Sequence, residues 1–397
     1  MKKGIVTLLL LGSMMQVLGA QECHNRLSFG DWLAGFKHEA QQQGISPKII
    51  HHALDGLKYD PKVIKQDRRQ VQFSQTFYQF SSKLVSAYRI KKGRSLMRKY
   101  RKLFGEIERR YGIPAEVITA YWGLETSYGA VQGNYQTIRS LATLAYDCRR
   151  SEKFYPELLS ALAIADRGDL RLSEMKGAWA GELGQTQFLP SYYLKYAVDF
   201  DRDGKRNLIK SVPDALASTA NYLKALGWHR GEPWIEEVIV PKRMPWEQSG
   251  LDRSYSLSHW GKLGVKKRNG QLLKGRLQGS LFLPMGRNGV AFMLYPNFKN
   301  VYLKWNESLL YSTTAAYFAT RLAGAPKMRG ARAKIHSLSS SQIKTLQRLL
   351  VRRGYDVGKI DGIIGEKTRI AVREVQLSLH LPADAYPTEE LLRRLKQ

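Results

Sequence analysis

Acidic residues are scarce in this 397-residue chain, where 34 Asp and Glu face 63 Lys and Arg, a formal charge of +29. Such an excess of positive charge indicates a polyanionic partner, namely nucleic acid, an anionic membrane or an acidic polymer. Hydrophobic residues make up 43% of the chain and aromatic residues 11%, which excludes wholesale disorder. The length favours two or three domains.

Several catalytic and metal-binding motifs are missing as well. The eight histidines are scattered, and none stands at zinc-binding or catalytic spacing from a cysteine or an aspartate. The chain has no Gly-rich phosphate loop, no Gly-x-Ser-x-Gly elbow and no His-Glu-x-x-His motif. Zinc hydrolases, nucleotide-binding enzymes and serine esterases are therefore disfavoured.

The N-terminus resembles an export signal. Two lysines precede a short apolar run, Ile5 to Leu11, and the small residues Gly19 and Ala20 follow. This layout is typical of a secretory signal peptide over residues 1–20, and the run is too short to span a membrane in a mature protein. We expect a periplasmic protein with no transmembrane segment in its mature form.

The chain contains only two cysteines, Cys23 and Cys148. In an oxidising compartment they permit one disulfide, and two unpaired thiols are the alternative. Lipidation of Cys23 is a further alternative, but the small residue that a lipoprotein site needs just before the cysteine is absent. We therefore do not expect a lipoprotein anchor.

Helical periodicity dominates the chain. Apolar residues recur at spacings of three and four over several stretches: Phe29 to about Arg110, Pro114 to Gly129, 151–166, 213–226 and 308–323. Segment 232–310 has shorter apolar runs with more Gly and Pro, so we expect irregular structure and a few strands there. The predicted fold is mainly α, of the α+β class.

Composition changes after Gly324. Residues 325–338 are basic, small and punctuated by Pro and Gly, which is typical of a linker. Residues 339–397 have their own periodicity and predict a small module of three helices. The part of the mature chain before the linker, residues 21–324, is then the main domain.

Glu125 stands out on an apolar helix face. It follows Ile118 by seven residues, Tyr121 by four and Trp122 by three, so the four share one face. A carboxylate on such an aromatic stripe is partly desolvated, which raises its pKa. A carboxyl group of this kind stays protonated near neutral pH and can donate to a glycosidic oxygen. The alternative is a solvated or ion-paired glutamate at a helix end.

Residues 177–191 form a second candidate element. Their three glycines let the backbone approach a ligand closely. Gln185 and Gln187 carry amides, which are bidentate partners for sugar hydroxyl and acetamido groups. An ordinary turn is the alternative.

The segment from 199 to 210 matches the opening of a calcium loop. Its ligand positions 1, 3, 5 and 7 are Asp199, Asp201, Asp203 and the backbone carbonyl of Lys205. Position 12 is Lys210 rather than Glu, so Asp214 is the candidate that closes the site. Its alternative role is a capping box with Ser211. We expect a structural Ca²⁺ ion here and no cofactor for the chemistry.

Together these motifs resemble the lytic transglycosylase B family, enzymes that cleave bacterial peptidoglycan. The resemblance runs in consistent order through roughly residues 29–323. It rests on Tyr121–Gly129, Gly184–Pro190, the loop at Asp199, Ser218–Leu223 with Gly227 and Trp228, and Trp305–Tyr311. It implies a lysozyme-like catalytic core with a helical N-terminal part.

The resemblance also implies a reaction that uses one carboxylic acid. Glu125 would protonate the oxygen that links N-acetylmuramic acid to N-acetylglucosamine, and the muramoyl 2-acetamido group would stabilise the cationic centre. Glu125 would then accept the proton of the sugar's own C6 hydroxyl, leaving a 1,6-anhydromuramoyl end. Ordinary glycosidases use a second carboxylate instead.

Six side chains are candidates for substrate binding: Gln185, Gln187, Asn306, Tyr311, Trp179 and Tyr128. By resemblance, Gln187, Asn306 and Tyr311 orient the sugar, and Tyr311 is the expected partner of the acetamido group. Helix packing is the alternative role of Tyr311.

Two positions depart from the family pattern. Ala178 stands where the family commonly has a serine near the catalytic carboxylate, and Glu182 stands where it has an alanine. Loss of the hydroxyl could loosen Glu125, and an added carboxylate could raise its pKa further. We expect activity with a shifted pH optimum.

The C-terminal module resembles the three-helix peptidoglycan-binding domain. The resemblance rests on Leu346–Leu350, Gly354–Gly362, Gly365–Thr368 and Ala371 with Val372. It departs at Val375, where an aromatic residue is usual, and at Ala385, where glycine is usual and its loss can distort a turn.

The expected substrate is therefore the peptidoglycan glycan strand, with cell-wall synthesis or division proteins as candidate protein partners. A nucleic-acid-binding protein is disfavoured by the export signal and by the absence of a recognised motif. A non-catalytic peptidoglycan-binding or scaffolding protein is the alternative. Because peptidoglycan carries lactyl and stem-peptide carboxylates, the positive charge is interpreted as adhesion to an anionic wall.

Overall fold

The computed structural model describes residues 27–68 and 75–397. The predicted signal peptide and Cys23 lie outside the described residues. Within the described ranges, no helix combines the length and the apolar character that crossing a membrane requires.

Helices form most of the described structure. In chain order they are α1 (Phe29–Gln42), α2 (Pro47–Leu54), α3 (Pro61–Arg68), α4 (Phe77–Leu84), α5 (Ala87–Lys99), α6 (Arg101–Tyr111), α7 (Ala115–Thr126), α8 (Thr137–Tyr146), α9 (Ser151–Asp166), α10 (Pro190–Tyr196), α11 (Val212–Ala225), α12 (Leu257–Lys262), α13 (Leu303–Trp305), α14 (Leu309–Leu322), α15 (Ser340–Arg352), α16 (Glu366–Ser378) and α17 (Glu389–Lys396). Short 3₁₀ turns span Leu172–Glu174 and Trp246–Gln248, and a π-helical turn spans Phe298–Tyr302.

Seven short strands form two antiparallel sheets in the described residues. They are β1 (Tyr135–Gln136), β2 (Lys176–Gly177), β3 (Ile235–Ile239), β4 (Tyr255–Ser256), β5 (Lys266–Lys267), β6 (Gln278–Phe282) and β7 (Ala291–Leu294). The first two pair with each other, and the other five form one sheet in the order β4-β6-β7-β3-β5. This sheet lies in the segment where the sequence predicts a few strands.

The central helix is α7. Every residue from Val117 to Gly123 is buried, which suits a helix that is apolar on all sides. It packs against α5, α6, α11 and α14. Pro114 takes the N-cap position, close to the predicted start of the helix. The candidate catalytic residue therefore lies on an element held on all sides by other helices.

Two hydrophobic cores meet near this helix, and α7 itself belongs to the first. One contains the central helices and the inner face of the sheet, where Phe282, Phe292 and Leu294 are buried. The other is built from the N-terminal helices together with α8, α9 and α10, and includes Phe36 and Phe154. The site described below lies where the two cores meet.

Segment 325–338, predicted as a linker, is held against the main domain by hydrogen bonds. The Met328 amide donates to the Tyr317 hydroxyl over 3.1 Å, and the Arg329 amide donates to Glu237 Oε1 over 3.0 Å. The Arg332 guanidinium donates to the carbonyls of Val240 and Arg287 over 2.9 and 2.6 Å. The segment is therefore an ordered strap rather than a free tether.

Two arginines of α16 fasten the C-terminal module to the main domain. Arg373 is fully buried and makes a bidentate ion pair with Asp252, with N–O distances of 2.7 and 2.6 Å. Arg369 donates to the carbonyls of Leu283 and Pro284 over 3.2 and 2.9 Å, and its burial lowers its pKa to about 10. The three helices of the module also enclose a core of their own.

Candidate active site

Glu125 lies in the last turn of α7, and the backbone turns sharply after it. Ser127, Tyr128 and Gly129 all have positive φ, at 52°, 65° and 79°. A Cβ atom at Gly129 would come within 2.6 Å of the Gln185 side chain, so only glycine fits there. The turn ends the helix and leaves the carboxylate at the edge of the core.

Two side chains from the C-terminal part of the main domain hydrogen-bond the Glu125 carboxylate. Trp305 Nε1 donates to Oε1 over 3.1 Å, and the Tyr311 hydroxyl donates to the same oxygen in a short hydrogen bond. Trp305 ends α13 and Tyr311 lies in the first turn of α14. Residues 180 positions apart in the chain are thereby brought into direct contact.

Burial raises the pKa of Glu125 from an ordinary glutamate value to about 6. The hydrogen bonds from Tyr311 and Trp305 act in the opposite direction, because they favour the ionised form, and the negative charge of Glu182 adds to the increase. This direction agrees with the shift predicted from the aromatic stripe. Near neutral pH the carboxyl group is therefore available in both protonation states.

Aromatic rings fix the position of Trp305. Its ring centroid lies 4.3 Å from that of Tyr121, 5.4 Å from Tyr222 and 5.8 Å from Phe188. These rings come from α7, from α11 and from the segment before α10, and they enclose the Trp305 ring. Trp305 was not among the candidate site residues, although it directly precedes Asn306 in a recognised motif. Its place in that motif was the sequence feature that could have identified it as a site residue.

Asn306 lies at the break between α13 and α14. Its backbone is extended, and its side-chain oxygen accepts the Ser308 amide over 2.9 Å. Ser308 caps α14 by accepting the Tyr311 amide over 3.3 Å. This cap orients the first turn of α14, which carries Tyr311 towards Glu125.

The two glutamines of the glycine-rich stretch differ in position. Gln185 is buried; its Oε1 accepts Trp122 Nε1 over 2.9 Å, and its amide group donates to the Ile209 carbonyl. Gln187 has a positive φ of 54° and is only half-buried; its amide group donates to the carbonyls of Gly184 and Gln132. The Gln185 amide group is therefore hydrogen-bonded to other protein groups, whereas Gln187 lies nearer the surface.

Neither Tyr128 nor Trp179 hydrogen-bonds the Glu125 carboxylate, which accepts from Trp305 and Tyr311. The Tyr128 hydroxyl donates to the Arg89 carbonyl over 2.6 Å, and its ring lies 5.6 Å from Trp122, edge to face. Trp179 is half-buried, and the Arg150 guanidinium lies 5.8 Å from its ring. Of the predicted substrate-binding residues, only Tyr311 hydrogen-bonds the candidate acid.

Ala178 and Glu182, the two departures from the family pattern, lie in one tight turn. The Ala178 amide donates to the Glu182 carbonyl over 3.0 Å. Glu182 is half-buried, and this burial raises its pKa, while the positive charges of Lys153 and Arg150 lower it. Its charge in turn raises the pKa of Glu125, as predicted for an added carboxylate.

A family model described as the transglycosylase SLT domain matches residues 28–320. The chain belongs to the SLT transglycosylase family. A second family model, described as a putative peptidoglycan binding domain, matches residues 339–395. The predicted family resemblance is therefore confirmed in both parts of the chain.

Two relatives agree with this membership. The membrane-bound lytic murein transglycosylase B of Escherichia coli K12 is 34% identical over 236 residues, which are 59% of this chain and 63% of that protein. The match thus spans less than two thirds of that relative's length. SltB3 from Pseudomonas aeruginosa, solved in complex with NAG-anhNAM-pentapeptide, is 41% identical with a TM-score of 0.87, covering 93% of this chain and 100% of that chain.

A more distant solved relative shares the main part of the fold. The E. coli lytic transglycosylase Slt35, solved in complex with calcium, is 28% identical with a TM-score of 0.63 and covers 76% of this chain and 93% of that chain. These structural neighbours confirm the predicted mainly α fold with its lysozyme-like core.

In this SLT-family chain the calcium-type loop brings three carboxylates together. Side-chain oxygens of Asp199, Asp201 and Asp203 all lie within 4.8 Å of one another. Asp214 is not in this group, because its buried carboxylate accepts the backbone amides of Phe200 and Asn207 over 2.7 and 2.8 Å. Asp214 thus shapes the loop from behind.

The backbone amides of Asp214 and Lys205 also make hydrogen bonds in this region. The Asp214 amide donates to the N-cap oxygen of Ser211, which is the alternative helix-start contact. The Lys205 amide donates to Asp203 Oδ1 over 2.9 Å.

Proposed function

We propose that this protein is a lytic transglycosylase that cleaves the β-1,4 bond between N-acetylmuramic acid and N-acetylglucosamine in peptidoglycan. One observation carries the proposal: a single half-buried carboxyl group of pKa about 6 is held by Trp305 and Tyr311 at the edge of the core. The reaction uses side chains and substrate groups alone, with no cofactor.

The first half of the reaction needs a protonated acid. Protonated Glu125 donates its proton to the glycosidic oxygen, and the bond from that oxygen to the muramoyl C1 breaks. The N-acetylglucosamine side leaves as an alcohol, and the muramoyl 2-acetamido oxygen bonds to C1. The raised pKa of Glu125 supports this step because it keeps a fraction of the enzyme protonated near neutral pH.

The second half uses the same group as a base. Ionised Glu125 accepts the proton of the muramoyl C6 hydroxyl, whose oxygen attacks C1 and displaces the acetamido oxygen. The product has a 1,6-anhydromuramoyl end, Glu125 is protonated again, and no water is consumed. The hydrogen bonds from Trp305 and Tyr311 stabilise the ionised carboxylate between the two halves.

We assign the orientation of the sugar to Gln187, Asn306 and Tyr311. Gln187 lies half-buried on a backbone with a positive φ, and Asn306 lies half-buried at the break before α14. Tyr311 is also the proposed partner of the acetamido group. Gln185 and Tyr128 are proposed as positioning residues, since their polar atoms bond to the protein.

Mass spectrometry of products from purified sacculi tests the function. Wild-type protein should release anhydromuramoyl products, and Glu125→Gln should reduce their rate by about 100-fold or more. Glu116→Gln is the matched control, since Glu116 lies in the first turn of the same helix. Full activity of Glu125→Gln would refute the assignment. Binding of the wild type without any product would favour the scaffolding alternative.

We further propose that residues 339–397 bind peptidoglycan and retain the enzyme on its substrate. The match of residues 339–395 to a peptidoglycan-binding family supports this role. Removal of the module should weaken sedimentation with sacculi, provided that melting curves show a folded main domain. Unchanged retention of the folded, truncated protein would contradict the proposal.

A structural Ca²⁺ ion at Asp199, Asp201 and Asp203 is a separate proposal. Convergent carboxylate oxygens are the donors that calcium prefers, which supports the fit. Added Ca²⁺ should raise the melting temperature of the wild type but not that of Asp201→Asn. Equal shifts in both proteins would show that the ion acts elsewhere.

The export signal, the periplasmic location and the Cys23–Cys148 disulfide are proposed from the sequence. N-terminal sequencing of the secreted protein should place the cleavage after Ala20. Thiol titration of the unfolded, unreduced protein should find no reactive thiol, and two thiols would exclude the bridge. Cell-wall synthesis or division proteins are the proposed class of protein partner, testable by cross-linking in cells.

A further inference from the structure

A row of stacked aromatic rings leads from the candidate acid to the protein surface. Trp305, which donates to Glu125, lies 5.4 Å from the Tyr222 ring. Tyr222 in turn stacks on Tyr196 and Tyr192, with centroid distances of 4.7 and 4.9 Å and interplanar angles of 28° and 30°. The row therefore connects the reacting centre with α10.

Exposure increases outwards from Tyr222. Tyr222 is only 4% exposed, whereas Tyr192 at the outer end is 40% exposed. The neighbouring Tyr193 is fully buried and donates to a backbone carbonyl, so packing explains it completely. Packing does not explain Tyr192 in the same way, because one face of its ring stacks on Tyr222 while much of the ring stays open to solvent.

A positive charge lies at the same edge. Lys195 is exposed, and its Nζ atom lies 5.2 Å from the centre of the Tyr196 ring. An open aromatic ring beside a cation suits a ligand that has both an apolar ring face and a carboxylate. A muramoyl sugar has both features, since its pyranose ring bears a lactyl or stem-peptide carboxyl group.

We propose that Tyr192, Tyr196 and Lys195 form a glycan subsite that binds a sugar of a longer strand, one that a tetrasaccharide bound at the cleaved bond does not reach. The Tyr192 ring stacks on the sugar, and Lys195 pairs with its lactyl or stem-peptide carboxylate. The proposal rests on the transglycosylase function described above. The subsite makes the enzyme prefer longer strands, because a short fragment cannot reach both places at once.

Kinetics on defined glycan fragments test the subsite. The rates of anhydromuramoyl release from a tetrasaccharide and from an octasaccharide give the ratio of the two kcat/KM values. Tyr192→Ala should lower the octasaccharide-to-tetrasaccharide ratio by about 5-fold, through KM of the longer substrate. Tyr192→Phe retains the stacking ring, so its octasaccharide-to-tetrasaccharide ratio should equal that of the wild type. Tyr88→Ala is the matched control, since Tyr88 is 71% exposed on another helix.

The charge is tested on octasaccharides with free and with amidated carboxylates. Lys195→Gln should weaken binding of an octasaccharide that carries carboxylates more than binding of one whose carboxylates are amidated. Equal losses on both would exclude the proposed ion pair.

Each remaining outcome separates the subsite from the function on which it rests. An unchanged ratio in Tyr192→Ala would overturn the subsite while leaving the enzyme assignment intact. An equal loss of kcat on both substrates would show that the Tyr192 ring only supports Trp305. This result would also overturn the subsite. Absence of product from the wild type with either substrate would overturn the transglycosylase function itself.

Discussion

Glu125→Gln should stabilise the protein while it abolishes catalysis. Burial raises the pKa of Glu125 from 4.5 to about 6, so the folded state binds its proton more tightly than the unfolded state does. The associated stability is fully present below the unfolded-state pKa and is lost as the pH rises through about 6. At one pKa unit per 1.36 kcal/mol, the ionised carboxylate lowers the free energy of unfolding by about 2 kcal/mol at pH 8. Glutamine has a similar shape, can accept from Trp305 and Tyr311, and never ionises.

Urea unfolding of both proteins at pH 4 and pH 8 measures this effect. The wild type should lose about 2 kcal/mol more than Glu125→Gln between these two pH values, because all other titrating groups are common to both. Glu116→Gln provides the control for a glutamate on the same helix without the Trp305 and Tyr311 contacts. Parallel pH profiles for the wild type and Glu125→Gln would refute the claim that the carboxyl group is buried at a cost.

Three further predictions follow from the same geometry. Tyr311→Phe removes a hydrogen bond that lowers the pKa of Glu125, so the alkaline limb of the kcat/KM profile should move to higher pH. We expect kcat to fall by about 10-fold or more. An unmoved limb would show that Tyr311 does not affect the pKa of Glu125. Glu182→Gln removes a neighbouring negative charge, so the same limb should move to lower pH, and a shift upwards would contradict the electrostatic argument. Ala385 has a positive φ of 59°, so Ala385→Gly should raise the stability of the module by about 1 kcal/mol in thermal unfolding, and destabilisation would show that the turn is unstrained.

The local features of the site were predictable from sequence spacing. Ile118, Tyr121 and Trp122 place Glu125 on an aromatic face, and the structure shows a carboxyl group whose burial raises its pKa. Helix periodicity is a local property, so neighbours three, four and seven residues away suffice to predict it. The contact with Tyr311 depended on the family resemblance, because no local rule connects residues 186 positions apart.

Side-chain direction was beyond the sequence. The amides of Gln185 and Gln187 were equivalent candidates for sugar binding, but Gln185 bonds to Trp122 inside the protein. Tyr128 likewise directs its hydroxyl to a backbone carbonyl. Tyr128 and Gln187 both have a positive φ, and nothing in the residue types of non-glycine positions indicates such a backbone.

The position of the C-terminal module shows the same limit on a larger scale. The sequence predicts an independent unit on a basic linker, since Pro, Gly and charge are the usual features of a tether. The net charge suggests that the arginines bind the cell wall. Several of them, however, hydrogen-bond or ion-pair with other parts of the protein. Arg373 pairs with Asp252, Arg369 bonds to backbone carbonyls, and Arg332 fastens the strap. Every residue has a backbone carbonyl, so amino-acid composition does not show which carbonyls accept these hydrogen bonds. The docking of the module therefore cannot be predicted from composition. Because these contacts fix the module relative to Glu125, binding of peptidoglycan by the module would also determine how the strand approaches the acid.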